Sequence, residues 1–130
     1  MEGVGYDFIP RSCDREIVDE WIKVDDKSSF VMARRLMAEE GLFCGGSSGL
    51  AMHAAIEYIK KHKIGKDKRC VVLLPDNIRN YITKHLNADW MYERGYITEQ
   101  ECTESNKPKL VENKDWGQDI KVKDLPLPEA

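Results

Sequence analysis

The sequence has no long apolar run and no strong charge of either sign. Its longest apolar stretch is "VVLLP", within residues 71–75, whereas a membrane-spanning helix needs about 20 apolar residues. The formal net charge is only −3, without the basic excess that favours binding to nucleic acids or anionic membranes. Residues 1–16 have no basic start followed by an apolar segment, as a secretory signal would. We therefore expect a cytoplasmic protein that binds neither nucleic acid nor membranes.

Cysteine and histidine are too scattered to predict a metal site. The cysteines form no CxxC pair or Cys/His cluster, which argues against structural zinc; they are Cys13, Cys44, Cys70 and Cys102. Cys44 and Cys70 lie in apolar runs that are typical of buried free thiols, and we expect all four thiols to be reduced. The histidines fall on polar helix faces without ligand spacing, so no catalytic or metal role is predicted for His53, His62 or His85.

Two amphipathic helices are predicted in the first half of the chain. Residues 25–40 carry apolar side chains at helical spacing, with Asp25 or Asp26 to cap the start and Gly41 to end the helix. A second helix is predicted over roughly residues 47–62. It ends in "KKHK", whose positive charge favours the negative end of a helix dipole.

A buried strand is predicted in the stretch "RCVVLLPD". A short continuous apolar run of this kind is typical of parallel sheets. The next stretch, "DNIRNYITKHL", predicts a helix that Asp76 can cap, with an apolar stripe of Ile78, Ile82 and Leu86. The alternation indicates an α/β fold class. Because one confident strand cannot complete a sheet covered on both faces, we expect an incomplete sheet and a partial domain.

The character of the sequence changes at about Thr98. Residues 98–130 are polar, contain turn-like stretches such as "NKPK" and "LPLPEA", and have no sustained period. We therefore predict that residues 1–97 are the folded portion and residues 98–130 a linker or tail.

The turn "CGGSSG" at residues 44–49 allows two interpretations. Free N–H groups at a helix start attract ligands, and glycines let a ligand approach the backbone. Alternatively, the glycines make a tight turn and Ser47 or Ser48 caps the helix. No Walker lysine follows and the turn is not GxGxxG, so the residues alone favour the capped helix start.

Two further turns carry candidate ligand contacts. In "LLPDNIRNY", Asp76 follows the predicted strand at the end where parallel sheets bind ligands, although it can also serve as a helix cap. In "EGVGYDF", Gly3 and Gly5 permit either close approach of a small ligand or a bulge. A triad of Ser47, His53 and Asp76 is unsupported because the chain has no GxSxG motif.

Five motifs together resemble one enzyme family. In order over residues 2 to about 97 they are "EGVGYDFIP", "DREIVDEW", "EEGLFCGGSSG", "CVVLLPDNIRNYITKHL" and "DWMYERGY". This series resembles the C-terminal part of the catalytic domain of the cystathionine beta-synthase family, pyridoxal-phosphate (PLP) enzymes of fold type II. The resemblance implies a homo-oligomeric parent lyase of cysteine biosynthesis. Such an enzyme condenses L-serine with L-homocysteine by PLP-dependent β-replacement.

The resemblance also assigns roles to residues. It implies that the cofactor contacts are Gly45, Gly46, Ser47, Pro75 and Asp76, and that Gly5 and Tyr6 shape the amino-acid substrate pocket. Ser47 is expected to donate a hydrogen bond to the pyridine nitrogen, since a neutral hydroxyl suits an unprotonated ring. Asp76 is expected to order the Ser47 region rather than to touch substrate.

Parts of the family's site have no counterpart in this sequence. The family's Schiff-base lysine lies in an N-terminal segment, and no lysine here stands in a comparable context; the Gly/Thr-rich phosphate loop is also missing. We therefore expect an incomplete PLP site, no catalytic residue in this chain and no activity of the chain alone. The resemblance also implies that the tail leads towards a regulatory domain. Two alternatives remain, a cysteine synthase and a non-catalytic module that docks on a full-length subunit through an unpaired sheet edge.

Overall fold

The computed structural model describes residues 1–107, and the regular elements in this part of the chain are helices. Its elements, in order, are α1 (Asp26–Glu40), α2 (Gly46–Lys61), a 3₁₀ helix (Ile78–Tyr81), α3 (Ala88–Glu93) and α4 (Glu99–Asn106). None of these helices has the length and apolar character required to cross a bilayer. The two helices predicted in the first half of the chain are confirmed, each to within about one residue.

The ends of α1 follow from its capping residues. The Asp25 side chain accepts a hydrogen bond from the Ser28 backbone N–H at 2.7 Å, which satisfies one of the free donors of the first turn. Gly41 ends the helix in the left-handed conformation, with φ of 69°, where a side chain would be strained. Both caps were predicted from the sequence.

The contact between α1 and α2 is the most extensive one among the helices. A Cβ atom added to Gly49 would lie 2.1 Å from the Ser29 carbonyl oxygen and 2.6 Å from the Ala33 backbone nitrogen. The two helices therefore touch backbone to backbone at Gly49. The α1 side chains buried in the fold are Ser29, Phe30, Met32, Ala33 and Leu36.

The predicted sheet is not confirmed among residues 1–107. The single strand-like pairing recorded there is an isolated antiparallel bridge between Cys44 and Asn77. The apolar run that was expected to be buried is open to solvent, with Val71 88% and Leu73 80% exposed. A strand covered on both faces needs neighbouring strands and helices, and the described residues do not supply them.

The segment after Asp76 is shorter and more exposed than predicted. It forms a 3₁₀ helix, and the cap is Asn77 rather than Asp76, because the Asn77 amide oxygen accepts from the Arg79 N–H at 2.9 Å. Of the predicted apolar stripe, Ile78 is buried, whereas Ile82 and Leu86 are 57% and 40% exposed. The predicted continuous helix is therefore wrong for this stretch.

Residues 99–106 form α4, where no element was predicted. Thr98 and Glu101 make a reciprocal capping box, in which each side chain bonds the other residue's backbone N–H. The helix packs against α3, and Cys102 is buried. The spacing "TEQE" carries the signal for this start. The rest of the predicted tail lies outside the described residues, and the division at residue 97 stays a prediction.

Two predictions about individual side chains are wrong. Cys70 was expected to be buried and is exposed, although all four cysteines are free thiols. His85 was expected on a polar face and is completely buried. Its ring stacks on Phe30 at a centroid distance of 5.2 Å and lies 5.2 Å from the Tyr81 ring. Arg34 donates to the His85 carbonyl oxygen at 3.0 Å, which fixes the backbone at this point.

The burial of His85 predicts acid sensitivity of the fold. Burial lowers the pKa of His85, an effect that Arg34 and Lys84 reinforce and that Asp76 and the Cys44 backbone partly oppose. Neither ring nitrogen has a hydrogen-bond partner among the described residues. Because the unfolded chain binds the proton more readily, this contribution to stability is complete above pH of about 6.5 and is lost as pH falls towards the folded pKa. The measurement is the free energy of urea unfolding between acidic and neutral pH.

Substitution at position 85 should remove this pH dependence. His85→Phe keeps an aromatic ring between Phe30 and Tyr81, so its unfolding free energy should fall less on acidification than that of the parent chain. Tyr92→Phe is the control, since Tyr92 lies in α3 and is 46% exposed, and it should keep the parent slope. Equal slopes for His85→Phe and the parent chain would contradict the assignment.

The close approach at Gly49 predicts strong sensitivity to one methyl group. Gly49→Ala should destabilise the fold by about 1–3 kcal/mol, because the added Cβ collides with the α1 backbone. Gly65→Ala is the matched control, since its Cβ meets only the Asp67 carboxylate, an exposed side chain that can move. Chemical unfolding of both variants measures the difference, and equal effects would refute the contact.

Candidate cofactor site

The glycine-serine turn starts α2 without a side-chain cap. The N-cap residue is Gly45, which makes no side-chain cap bond, and the helix itself begins at Gly46. Ser47 and Ser48 therefore lie inside the first turn of α2. The interpretation of either serine as the helix cap is wrong, because the helix begins before both of them.

The first two glycines are required by contacts within the protein. A Cβ on Gly45 would lie 2.0 Å from Asp76 Oδ1, and one on Gly46 would lie 2.7 Å from Phe30 Cε1. The φ of Gly45 is −77°, which any residue can adopt, so space rather than backbone conformation selects glycine here. The turn is held against α1 on one side and against the segment after Pro75 on the other.

Backbone hydrogen bonds join the two turns that the sequence marked as candidate sites. The Gly45 N–H donates to the Asp76 carbonyl oxygen at 3.0 Å, and the Ile78 N–H donates to the Phe43 carbonyl oxygen at 3.2 Å. These bonds flank the Cys44–Asn77 bridge. The structure therefore brings Gly45, Gly46 and Ser47 next to Asp76, with the exposed Pro75 directly before it.

The Asp76 side chain is held by a tyrosine. Tyr81 donates its hydroxyl to Asp76 Oδ2 at 2.5 Å. This hydrogen bond, with burial as the next cause, raises the pKa of Tyr81 to about 12. Asp76 Oδ1 is buried and has no partner among the described residues. The carboxylate thus has one oxygen bonded and the other directed against Gly45.

The two serines of the turn face different surroundings. Ser48 is completely buried beside Cys44, which is 3% exposed, and the Ser48 hydroxyl has no partner among the described residues. Burial raises the pKa of the Cys44 thiol, and the nearby Ser48 hydroxyl opposes this only in part; such a buried thiol is unreactive. Ser47 is partly exposed. Of the two hydroxyls, that of Ser47 is the one available to a ligand at the positive end of α2.

The predicted substrate residues lie at a separate surface. Tyr6 is 61% exposed and stacks on Phe8 at 5.3 Å; Gly5 has φ of 76°, a conformation that favours glycine. Both line an open cavity of about 270 Å³ that also contains Trp21. No residue of the glycine-serine turn lines this cavity. The substrate role of Gly5 and Tyr6 stays a prediction.

Sequence reasoning missed Tyr81 as a member of this site. The residue stands five positions after Asp76, a spacing that would not bring the two side chains together on a regular helix. They meet here because Asp76 lies before Asn77, the N-cap of the short 3₁₀ helix, and is not part of a helix itself. In the sequence, Asp76 at the start of "DNIRNY" was a candidate site residue and Tyr81 was not.

The bond between Tyr81 and Asp76 predicts an unusual tyrosine titration. Because the folded pKa is about 12, against an ordinary value of about 10, this contribution to stability is complete below pH of about 10 and is lost as pH rises through the folded pKa. Tyrosinate absorbance should show one late ionisation in the parent chain. Asp76→Ala should bring it back towards the ordinary value, and Tyr81→Phe should remove it. A titration unaffected by Asp76→Ala would refute the bond.

Comparisons with known proteins agree on one family. A family model described as "Pyridoxal-phosphate dependent enzyme" matches residues 1–76. The cystathionine beta-synthase of Dictyostelium discoideum is 55% identical over 128 residues, which are 98% of this chain and 24% of that protein. That of Mus musculus is 43% identical over 127 residues, 98% of this chain and 21% of the relative.

A third relative has a different name. The cysteine synthase of Buchnera aphidicola subsp. Acyrthosiphon pisum is 38% identical over 89 residues, 68% of this chain and 28% of that protein. The chain thus spans about a quarter of the length of the curated relatives that it matches. Because the family model matches more than half of its residues, the chain belongs to the pyridoxal-phosphate dependent enzyme family.

Proposed function

We propose that this chain is part of an enzyme that condenses L-serine with L-homocysteine to L-cystathionine, and that it supplies the contact to the cofactor's ring nitrogen. The observation that carries the proposal is the position of Ser47. Its hydroxyl is partly exposed in the first turn of a 16-residue helix, while the glycines before it are packed against protein. The homo-oligomeric state and cytoplasmic location expected of the parent belong to the same proposal.

The residues at the turn fit an unprotonated pyridine nitrogen. A serine hydroxyl can donate a hydrogen bond to it, and the partial positive charge at a helix start disfavours a protonated ring. Asp76, whose carboxylate lies against Gly45, is engaged through Oδ2 by Tyr81. When bound, the cofactor would supply the electron sink for substitution at the β-carbon of the amino acid. Ser47 would orient the ring and keep its nitrogen unprotonated.

The proposal places the remaining chemistry outside this chain. The lysines with ionic partners among residues 1–107 are bonded to carboxylates elsewhere on the surface: Lys60 to Glu57, Lys61 to Glu20, Lys68 to Asp67 and Lys84 to Glu2. None of these partners belongs to the glycine-serine turn. We assign covalent attachment of the cofactor and transfer of the α-proton to a lysine of the larger enzyme. The 130-residue chain alone would then be inactive.

A cysteine synthase is the second candidate. The relative with that name supports it, at 38% identity. Cystathionine beta-synthases match more of the chain, however, since those from Dictyostelium and mouse each cover 98% of it, compared with 68% for the cysteine synthase. The additional matched length favours homocysteine, rather than sulfide, as the second substrate.

A chimeric enzyme tests the proposal directly. The corresponding segment of the Dictyostelium cystathionine beta-synthase would be replaced by this chain, and cystathionine formation from serine and homocysteine would be measured. The chimera should be active, and Ser47→Ala should lower its activity about tenfold, the effect of losing one hydrogen bond. Ser48→Ala is the matched control and should change activity little, because its buried hydroxyl has no partner among the described residues.

Several outcomes would count against the proposal. Formation of cysteine from an activated serine and sulfide, without cystathionine, would favour the second candidate. Equal activity of the Ser47→Ala and Ser48→Ala chimeras would refute the role of Ser47. In a separate experiment, the 130-residue chain would be mixed with PLP and reduced with borohydride, and mass spectrometry would locate any cofactor adduct. A cofactor adduct on one specific lysine would refute the assignment of that lysine to another part of the enzyme.

A further inference from the structure

We propose that Tyr81 is a positioning residue for Ser47, acting through Asp76 and Gly45. What Ser47 does for the cofactor rests on the proposed function, whereas the positioning itself rests on contacts within this chain. Tyr81 stands at the end of the 3₁₀ helix and Ser47 in the first turn of α2. Among the described residues, hydrogen bonds connect the two elements through Asp76 and Gly45.

A continuous series of hydrogen bonds links the tyrosine to the turn. Tyr81 donates to Asp76 Oδ2 at 2.5 Å, and the carbonyl oxygen of the same aspartate accepts from the Gly45 N–H at 3.0 Å. Gly45 is the N-cap of α2, so its position sets where the helix starts. Ser47 follows two residues later and takes its position from that start.

Direct packing also connects Tyr81 and Asp76 to Gly45, independently of the hydrogen bonds. The Cβ position of Gly45 lies 2.0 Å from Asp76 Oδ1 and 2.9 Å from Tyr81 Cε2. The carboxylate and the phenol ring therefore both press on one glycine. Because both groups already lie against the Gly45 backbone, the start of α2 has no room to move towards either of them.

The Tyr81 hydroxyl can be removed by substitution while the packing of the ring against Gly45 is kept. Asp76 Oδ1 is already buried without a partner. Loss of the Tyr81 hydroxyl would leave Oδ2 without this donor as well, and an unpaired carboxylate with one oxygen buried is unfavourable. The first turn of α2, which begins directly after Gly45, offers free N–H groups as alternative donors. We expect the carboxylate to turn towards them and to displace Gly45 and Ser47.

The Tyr81 ring itself is held in place by its neighbours. It lies 5.2 Å from the ring of the buried His85, which also stacks on Phe30. Tyr81 therefore connects the start of α2, at Gly45, to the rings of His85 and Phe30, and Phe30 belongs to α1. Tyr81→Phe preserves this packing and removes only the hydroxyl, which separates positioning from a general loss of structure.

The experiment follows the turn in the 130-residue chain without cofactor. Nuclear magnetic resonance would record amide exchange of Gly45 and the backbone and Cβ chemical shifts of Ser47. In Tyr81→Phe, Gly45 exchange should accelerate about tenfold, as expected for one hydrogen bond, and the Ser47 signals should shift, while α4 stays unchanged. Tyr92→Phe is the matched control, since Tyr92 lies in α3 and is 46% exposed, and it should leave both signals unchanged.

Substitutions of the aspartate show whether the effect passes through Asp76. Asp76→Asn keeps an oxygen that can accept from Tyr81 and should resemble the parent chain. Asp76→Ala should reproduce the Tyr81→Phe spectrum. In the double variant Tyr81→Phe/Asp76→Ala, the tyrosine substitution should add nothing, because both changes break one connection.

Clear results would overturn the inference. One is an amide exchange rate of Gly45 that is the same in Tyr81→Phe as in Tyr92→Phe. The other is a double variant in which the effects of the two substitutions on this rate add. If Tyr81→Phe loses its helical circular dichroism, the aspartate pair decides: a parent-like Asp76→Asn with a perturbed Asp76→Ala supports positioning, and equal behaviour of the two refutes it. Because no cofactor is present, this result is independent of whether Ser47 meets the ring, which the Ser47→Ala chimera tests separately.

Discussion

The start of α2 depends on close packing that only glycine permits. At Gly49 the helix touches the α1 backbone, and at Gly45 it touches the Asp76 carboxylate. These two contacts fix both the direction of α2 and the position of its first turn. Ser47 lies between them and is partly exposed. The candidate ligand contact is therefore positioned by protein packing, and the glycines that suggested a ligand-binding loop are occupied by the protein itself.

The sequence predicted most accurately what is local. The limits of α1 follow from Asp25 and Gly41, whose capping chemistry needs no distant partner. The family was also predictable, since five motifs in order are far more specific than one turn, and the family model confirms it. The roles of the glycines in "CGGSSG" were not predictable, because a close approach between segments far apart in sequence leaves no periodic pattern.

The wrong predictions concern burial, which depends on partners that a short sequence window does not reveal. His85 sits in a polar stretch and is nevertheless enclosed by Phe30 and Tyr81. Val71 and Leu73 have the pattern of a buried strand, but the described residues form no strand here and leave both side chains exposed. The chain spans about a quarter of the length of its curated relatives.

The packed turn leaves one hydroxyl available, that of Ser47, and its proposed partner is the ring nitrogen of the cofactor. The most direct measurement is nitrogen NMR of isotopically labelled PLP bound to the chimeric enzyme. A chemical shift typical of an unprotonated, hydrogen-bonded pyridine, which changes in Ser47→Ala and not in Ser48→Ala, is the predicted result. A shift typical of a protonated pyridinium, unaffected by Ser47→Ala, would contradict the account.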